Sequence, residues 1–167
     1  MMETVIWFLG SALLVDVVGY WLHRWAHRPS SPLYRPHMTH HVLRYPPRRY
    51  FSSRYRTSGS DSLALWFAPF GIVYIVLAVV LGVPHLGAVL LGGATTAILS
   101  SVVHDLSHVE GSIVWRLPFL RTMARLHRIH HSKMGRNFGV LISLWDWIFR
   151  TSYRGSAGRR SPPDPIR

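Results

Sequence analysis

Three long apolar stretches, none holding a lysine or arginine, constrain this chain more than any other feature. They are residues 4–22 (TVIWFLGSALLVDVVGYWL), 64–82 (ALWFAPFGIVYIVLAVVLG) and 86–103 (LGAVLLGGATTAILSSVV). Each approaches the roughly 20 residues that a helix needs to cross about 30 Å of hydrocarbon. Only VPH, residues 83–85, separates the last two, which predicts a tight helical hairpin. Pro69 and Gly92–Gly93 are expected to be bending or packing points within it. Charged residues make up 16% of the chain, against about a quarter in an average soluble domain. With 167 residues the chain fits one domain. The expected fold is all-α: an integral membrane bundle of about three transmembrane helices under a histidine-rich cap.

The basic residues mark the ends of these stretches. The net charge is +12, from 19 Lys and Arg against 7 Asp and Glu. None of the 19 precedes Arg24, eight lie from Arg24 to Arg56, none lies between Asp61 and Val114, and eleven run from Arg116 to the end. The excess of positive charge then places residues 24–60 and the chain from 105 onward on the cytoplasmic side. The N-terminus and Val83–His85 fall on the other. A signal peptide fits the first stretch less well, because Glu3 stands where a basic n-region belongs and no small-x-small cleavage site follows. A nucleic-acid-binding protein would need these arginines on a soluble module, for which three spans leave no room. No cysteine is present, which excludes disulfides, zinc–thiolate sites and iron–sulfur clusters.

Ten of the eleven histidines fall into four groups: HRWAH (His23, His27), HMTHH (His37, His40, His41), HDLSH (His104, His108) and HRIHH (His127, His130, His131). On a helix, positions i, i+3 and i+4 share a side, so each group aims its imidazoles one way. Neutral imidazole is a ligand for iron, zinc or copper. Ten rings exceed the needs of one ion and suit two ions with four or five nitrogens each. Two adjacent redox metals are a means of activating O2. A metal transport or storage protein would want ligands near mid-membrane or on both faces; these all belong to one face. His85, in the hairpin turn, is read as a surface residue on the opposite side.

Other candidates lie beside these groups. Asp16, Tyr20, His23 and His27 step by four, three and four, forming one helix stripe. Asp16, costly in lipid, must face protein, either as a hydrogen-bond anchor or proton path under the first histidines or as a structural contact between helices. Asp105 can orient a neighbouring imidazole or cap the helix ending there. LPFLRTMARLHRIHH predicts a helix with Pro118 in its first turn, Phe119, Met123, Leu126 and His130 on one stripe, and Arg121, Arg125 and Arg128 on another. YPPRRYFSSRYR, 45–56, is expected to be irregular and to cover the histidines. The tail 155–167 is expected to be disordered, leaving one domain over residues 1–154.

These motifs carry a family resemblance. DVVGYWLHRWAH, HMTHH, HDLSH, HRIHH, then NFG and WDWIFRT, resemble the integral-membrane fatty acid hydroxylase and sterol desaturase superfamily, of which beta-carotene hydroxylases are a branch. The likeness covers roughly residues 10–153. It implies a non-haem site with two Fe ions on the ten grouped histidines, with O2 and two electrons as co-substrates. It also implies a fatty acyl, sterol or carotenoid substrate drawn from the bilayer. Hydroxylation of an unactivated C–H is the leading expectation and desaturation the alternative. Asn137 and Asp146, in the matching closing segment, are expected to hydrogen-bond ligand histidines, with loop or helix capping as the alternative. The stretch from HDLSH to RLPF resembles the carotenoid hydroxylases, whereas the NFG…WDWIF ending is closer to the sterol desaturase and fatty acid hydroxylase branch. Family members often have four spans; here three are counted. No cytochrome b5-like module precedes the core, so the expected electron donor is a separate protein, ferredoxin or cytochrome b5-like.

Overall fold

The computed structural model describes residues 1–56 and 63–154, with side chains described throughout except at 63–67. The expectation for the tail 155–167 lies outside the described residues. Seven α-helices appear among the described residues: α1 (Met2–Ala26), α2 (Tyr34–Met38), α3 (Leu63–Val80), α4 (Leu86–Ser107), α5 (Ile113–Arg116), α6 (Pro118–Ser132) and α7 (Leu144–Ile148). A π-helical turn, Thr39–Arg44, continues α2, and a short 3₁₀ turn covers Pro47–Arg49. The only β pairing among the described residues is an isolated bridge between Ser52 and Val109. The fold is all-α, as expected.

Helices α1 and α4 run side by side in the same direction. Thr4 Oγ1 lies 3.4 Å from His85 Nδ1 at one end, and His23 and His104 both lie within 6.2 Å of the His127 ring, centroid to centroid, at the other. Small and hydroxylated residues permit the approach. A side chain at Gly92 would collide with the Phe8 carbonyl. Ser11 Oγ and Tyr74 OH both donate to the Val89 carbonyl, at 2.5 and 2.9 Å. Between them in the chain, α3 runs the other way and returns through a turn with Gly82 and His85 in the left-handed region. His85 is thus placed with Glu3, 3.3 Å away, at the end remote from the other ten histidines.

The burial pattern is the reverse of a soluble helix. Buried residues of α1 include Ser11, Asp16, Tyr20 and His23, and those of α4 include Thr96, Ser100, His104 and Ser107. Val5, Ile6, Leu9, Leu13 and Leu14 of α1, and Leu91, Ile98 and Leu99 of α4, are exposed. Polar residues inside and aliphatic residues outside are what helices solvated by lipid present. Two helices, Met2–Ala26 and Leu86–Ser107, are long and apolar enough to cross a membrane. The third expected span, residues 64–82, lies partly outside the residues whose side chains are described. The third helix qualifies only as a shorter apolar run, Ala68–Val80, since its first turn carries no described side chains.

The cap is built from the segments C-terminal to α1 and α4. Pro118 opens α6 at its first position, where the missing N–H costs nothing. Of the stripe Phe119, Met123, Leu126 and His130, the last three are buried, but Phe119 is exposed, because the stripe leaves the protein at the first turn. Residues 45–56 do wrap over the histidines, with Tyr45 and Tyr50 buried. Ser52 fastens them to the end of α4, its N–H donating to the His108 carbonyl and its own carbonyl accepting from Glu110, both at 3.0 Å.

Candidate metal centre

Nine of the ten grouped histidines form two sets. His23, His27, His37, His41 and His130 make one, and His40, His104, His108 and His127 the other, with the donor nitrogens of each set all within 4.8 Å of one another. His131 belongs to neither set but touches both. Its ring lies 4.0 Å from that of His41 and 4.7 Å from that of His108, centroid to centroid. All ten rings are buried except that of His27, which is half-buried. The adjacent pair His40 and His41 divides between the sets, on a π-helical turn where successive side chains point in different directions.

The ring nitrogens are arranged for something other than each other. His130, His27, His37 and His41 form a chain of Nε2···Nε2 contacts of 3.0, 2.7 and 3.0 Å. An imidazole nitrogen has one in-plane site, either a hydrogen or a lone pair. The Nε2 atoms of His27 and His37 each have two neighbours, so hydrogen bonds cannot satisfy all three contacts. Lone pairs converging on one ion can: adjacent nitrogens at right angles, each about 2.1 Å from a metal, are about 3.0 Å apart. In addition His23 Nε2, His131 Nε2 and both nitrogens of His40 are buried with no hydrogen-bond partner, an unfavourable state unless a ligand is bound. Both observations fit two metal ions.

Backbone carbonyls select the tautomer. Nδ1–H of His23 donates to Phe138 O at 2.6 Å, His130 to Arg136 O at 2.6 Å, His131 to Tyr45 O at 2.8 Å and His108 to Tyr50 O at 3.2 Å. Each such bond leaves the lone pair on Nε2, facing the interior of the cluster. His104 Nδ1 is paired with Asp105 Oδ1 at 3.0 Å, a contact between the carboxylate and a neighbouring imidazole. Burial holds the His27 imidazolium pKa down at about 4 and that of His131 at about 3, the latter partly offset by the Tyr45 carbonyl. Burial likewise pushes His37, His40, His41, His108, His127 and His130 well below the ordinary imidazole range. These rings are therefore neutral, as metal ligands must be.

The other candidates act at one remove. Asp146 and Asn137 bond no histidine, contrary to expectation. Asp146 accepts from the N–H groups of Phe138 and Gly139, both at 2.8 Å, and from Thr151 Oγ1 at 2.7 Å. Asn137, in the left-handed region at φ 55°, accepts from Tyr153 N–H at 2.7 Å and donates to Tyr153 O at 2.7 Å. The two side chains thereby pin residues 136–138, whose carbonyls orient His130 and His23. A short acidic or amide side chain bonds adjacent backbone more readily than a ring already committed to a carbonyl. Asp16 accepts from Trp145 Nε1 at 2.6 Å and Tyr20 donates to Thr151 Oγ1 at 2.9 Å. Both tie α1 to the closing segment. The residues that sequence reasoning missed are Tyr45, Tyr50, Arg136 and Phe138, which act through carbonyls that every residue possesses, and Trp145 and Thr151.

A family model described as fatty acid hydroxylase matches residues 8–151. Neither curated proteins nor solved structures give a match. With a histidine constellation able to hold two metal ions and a family match over most of its length, the chain belongs to the fatty acid hydroxylase family.

Proposed function

We propose that this protein is a membrane-embedded, iron-dependent oxygenase that hydroxylates an unactivated C–H of a lipid. The observation that carries the reading is the pair of histidine sets, five and four rings: hydrogen bonds cannot satisfy all the Nε2 contacts of the first, and the second holds His40 with both nitrogens buried and unpartnered. Two iron ions bound there would supply O2 activation, a chemistry that side chains alone lack. His23, His27, His37, His41 and His130 would hold one ion, and His40, His104, His108 and His127 the other. His131 is the reserve donor between them. The carbonyls of Tyr45, Tyr50, Arg136 and Phe138 keep the rings from turning, and the buried wall of Tyr45 and Tyr50 keeps bulk water away. The remaining chemistry comes from partners: a fatty acyl, sterol or carotenoid substrate entering from the bilayer, O2, and two electrons from a separate ferredoxin or cytochrome b5-like donor.

The same reading makes residues 1–154 one membrane domain with its histidine cap on the cytoplasmic side, where the arginines cluster, and His85 on the far side. Metal analysis of detergent-purified protein, joined to lipid extracts of cells with and without expression under ¹⁸O₂, tests it. The expected result is about two iron ions per chain and a lipid bearing one labelled hydroxyl. A new double bond without label would turn the assignment to desaturation. Absence of any bound transition metal would end the oxygenase reading.

A further inference from the structure

The face of α1 turned away from the histidines carries its own cleft. Val17, Val18, Trp21, Leu22 and Trp25 line it from α1 and Phe70 from α3, enclosing a volume of about 370 Å³, with Arg24 and Arg28 at its cap end. At 100° per residue, Val18 and Trp25 project opposite the Asp16–Tyr20–His23–His27 stripe, so the thickness of the helix separates the cleft from the candidate metal centre. Its walls are aliphatic and indole surface. Its charge is of one sign: none of the lining residues is acidic. The two guanidiniums are one helical turn apart, as are the two indoles, at the end of a helix apolar enough to span a membrane. Arg24 is braced from behind, lying over the Trp21 ring at 5.1 Å and donating to Tyr20 OH at 3.4 Å. Arg28 is exposed.

We propose that this cleft binds an anionic phospholipid, with the phosphate between Arg24 and Arg28 and one acyl chain lying along Val18, Trp21 and Phe70 towards the middle of the bilayer. Charge complementarity chooses this occupant. An apolar helix of a protein partner would leave both arginines unpaired, and a zwitterionic lipid would set its own cation against them. Planar guanidinium forks match phosphate oxygens, and indoles at a headgroup boundary are the usual neighbours of such a site. The lipid is a resident of the outer surface of the protein, distinct from the substrate proposed for the histidine side, and its binding is independent of iron.

The test uses full-length protein in bilayer nanodiscs of phosphatidylcholine mixed with phosphatidylglycerol, re-extracted into detergent, with the retained lipid measured by mass spectrometry. One phosphatidylglycerol per chain, retained in preference to phosphatidylcholine, is expected. The double substitution Arg24→Ala, Arg28→Ala should weaken that retention about thirtyfold, equivalent to about 2 kcal/mol for two arginines near a lipid surface. Val18→Trp, which fills the cleft and keeps both arginines, should abolish retention while leaving iron content unchanged. Glycerol 3-phosphate should compete poorly, since it lacks the chain. Retention in the proportions of the mixture would overturn the proposal. So would a Val18→Trp protein that keeps its phosphatidylglycerol, or glycerol 3-phosphate competing as well as the lipid, which would make this a phosphate site.

Discussion

At the scale of the residue, the roles of the histidines separate by what each nitrogen touches. His40 has both nitrogens buried and unpartnered, and it belongs to the set of His104, His108 and His127. His40→Ala and His130→Ala are expected to remove iron from their respective sets and to abolish turnover, read by iron stoichiometry and lipid product in the same membranes. His131→Ala is the discriminating variant. Its Nε2 faces the cluster without a partner, yet it lies outside both sets, so it should reduce iron less than His40→Ala does; full iron loss would make it an obligatory ligand. His85→Ala, at the opposite end beside Glu3, should alter neither property. Asp16→Ala removes the acceptor of the Trp145 indole, a hydrogen bond to a charged group worth about 2 kcal/mol. It should leave most of the iron bound while lowering activity roughly ten- to hundredfold, the usual effect of a lost supporting contact. An Asp16→Ala protein devoid of iron would show that Asp16 builds the site instead of bracing it.

At the scale of the element, the segment 136–138 is the piece on which the site turns. Its two carbonyls hold His130 and His23, and the alternation between them requires the left-handed backbone of Asn137. Asn137→Gly keeps that backbone and loses the side-chain bonds to Tyr153; Asn137→Ala loses both. The alanine variant should therefore be the less stable by about 1 kcal/mol, measured by thermal unfolding in detergent. Equal stabilities would show that backbone conformation is not what Asn137 supplies. Asp146→Ala is expected to be more damaging than either, since it strands three donors in a buried place. The contact of α1 with α4 is a second element-scale constraint. Gly92→Leu would drive the helices apart at the Phe8 carbonyl. It should lower the yield of monodisperse protein and loosen the end-to-end alignment that brings His23 and His104 to one level.

For the whole molecule, acid is the general antagonist. The unfolded chain protonates its histidines near pH 6.5, whereas the folded protein resists protonation of His27 until about pH 4 and of His131 until about pH 3. Between those limits the unfolded state binds more protons, so stability must fall as the pH drops below about 6.5 and keep falling to about 3. Above about 6.5 these groups contribute no further pH dependence. Thermal unfolding of chelator-treated protein across this window should show the decline, and the iron-loaded protein should release metal over the same range as protons compete for the ring nitrogens. An unfolding temperature that stays flat from neutral pH to about pH 5 would mean that the rings are protonated in the fold. The membrane topology has an equally direct measurement, because the chain contains no cysteine. Single cysteines at Pro84 and at Ser132 should be labelled from opposite sides of a sealed membrane.

The sequence by itself determined the helices and the histidine inventory, because both are periodic properties of adjacent residues. Apolar runs near 20 residues long, Pro118 opening α6 and the His23–His27 spacing are local facts. The placement of His85 away from the rest follows from helix length alone. Tertiary structure decided what depends on residues far apart in the chain. It divided His40 from His41 between two sets, left His131 between them, and turned Phe119 outward. It sent Asn137 and Asp146 to the backbone instead of to imidazole. Tyr45, Tyr50, Arg136 and Phe138 orient the rings through carbonyl groups, and a carbonyl carries no sequence signal. Only the folding of residues 45–56 over the end of α4, and of residues 136–138 against α1, brings those oxygens within hydrogen-bonding distance of Nδ1.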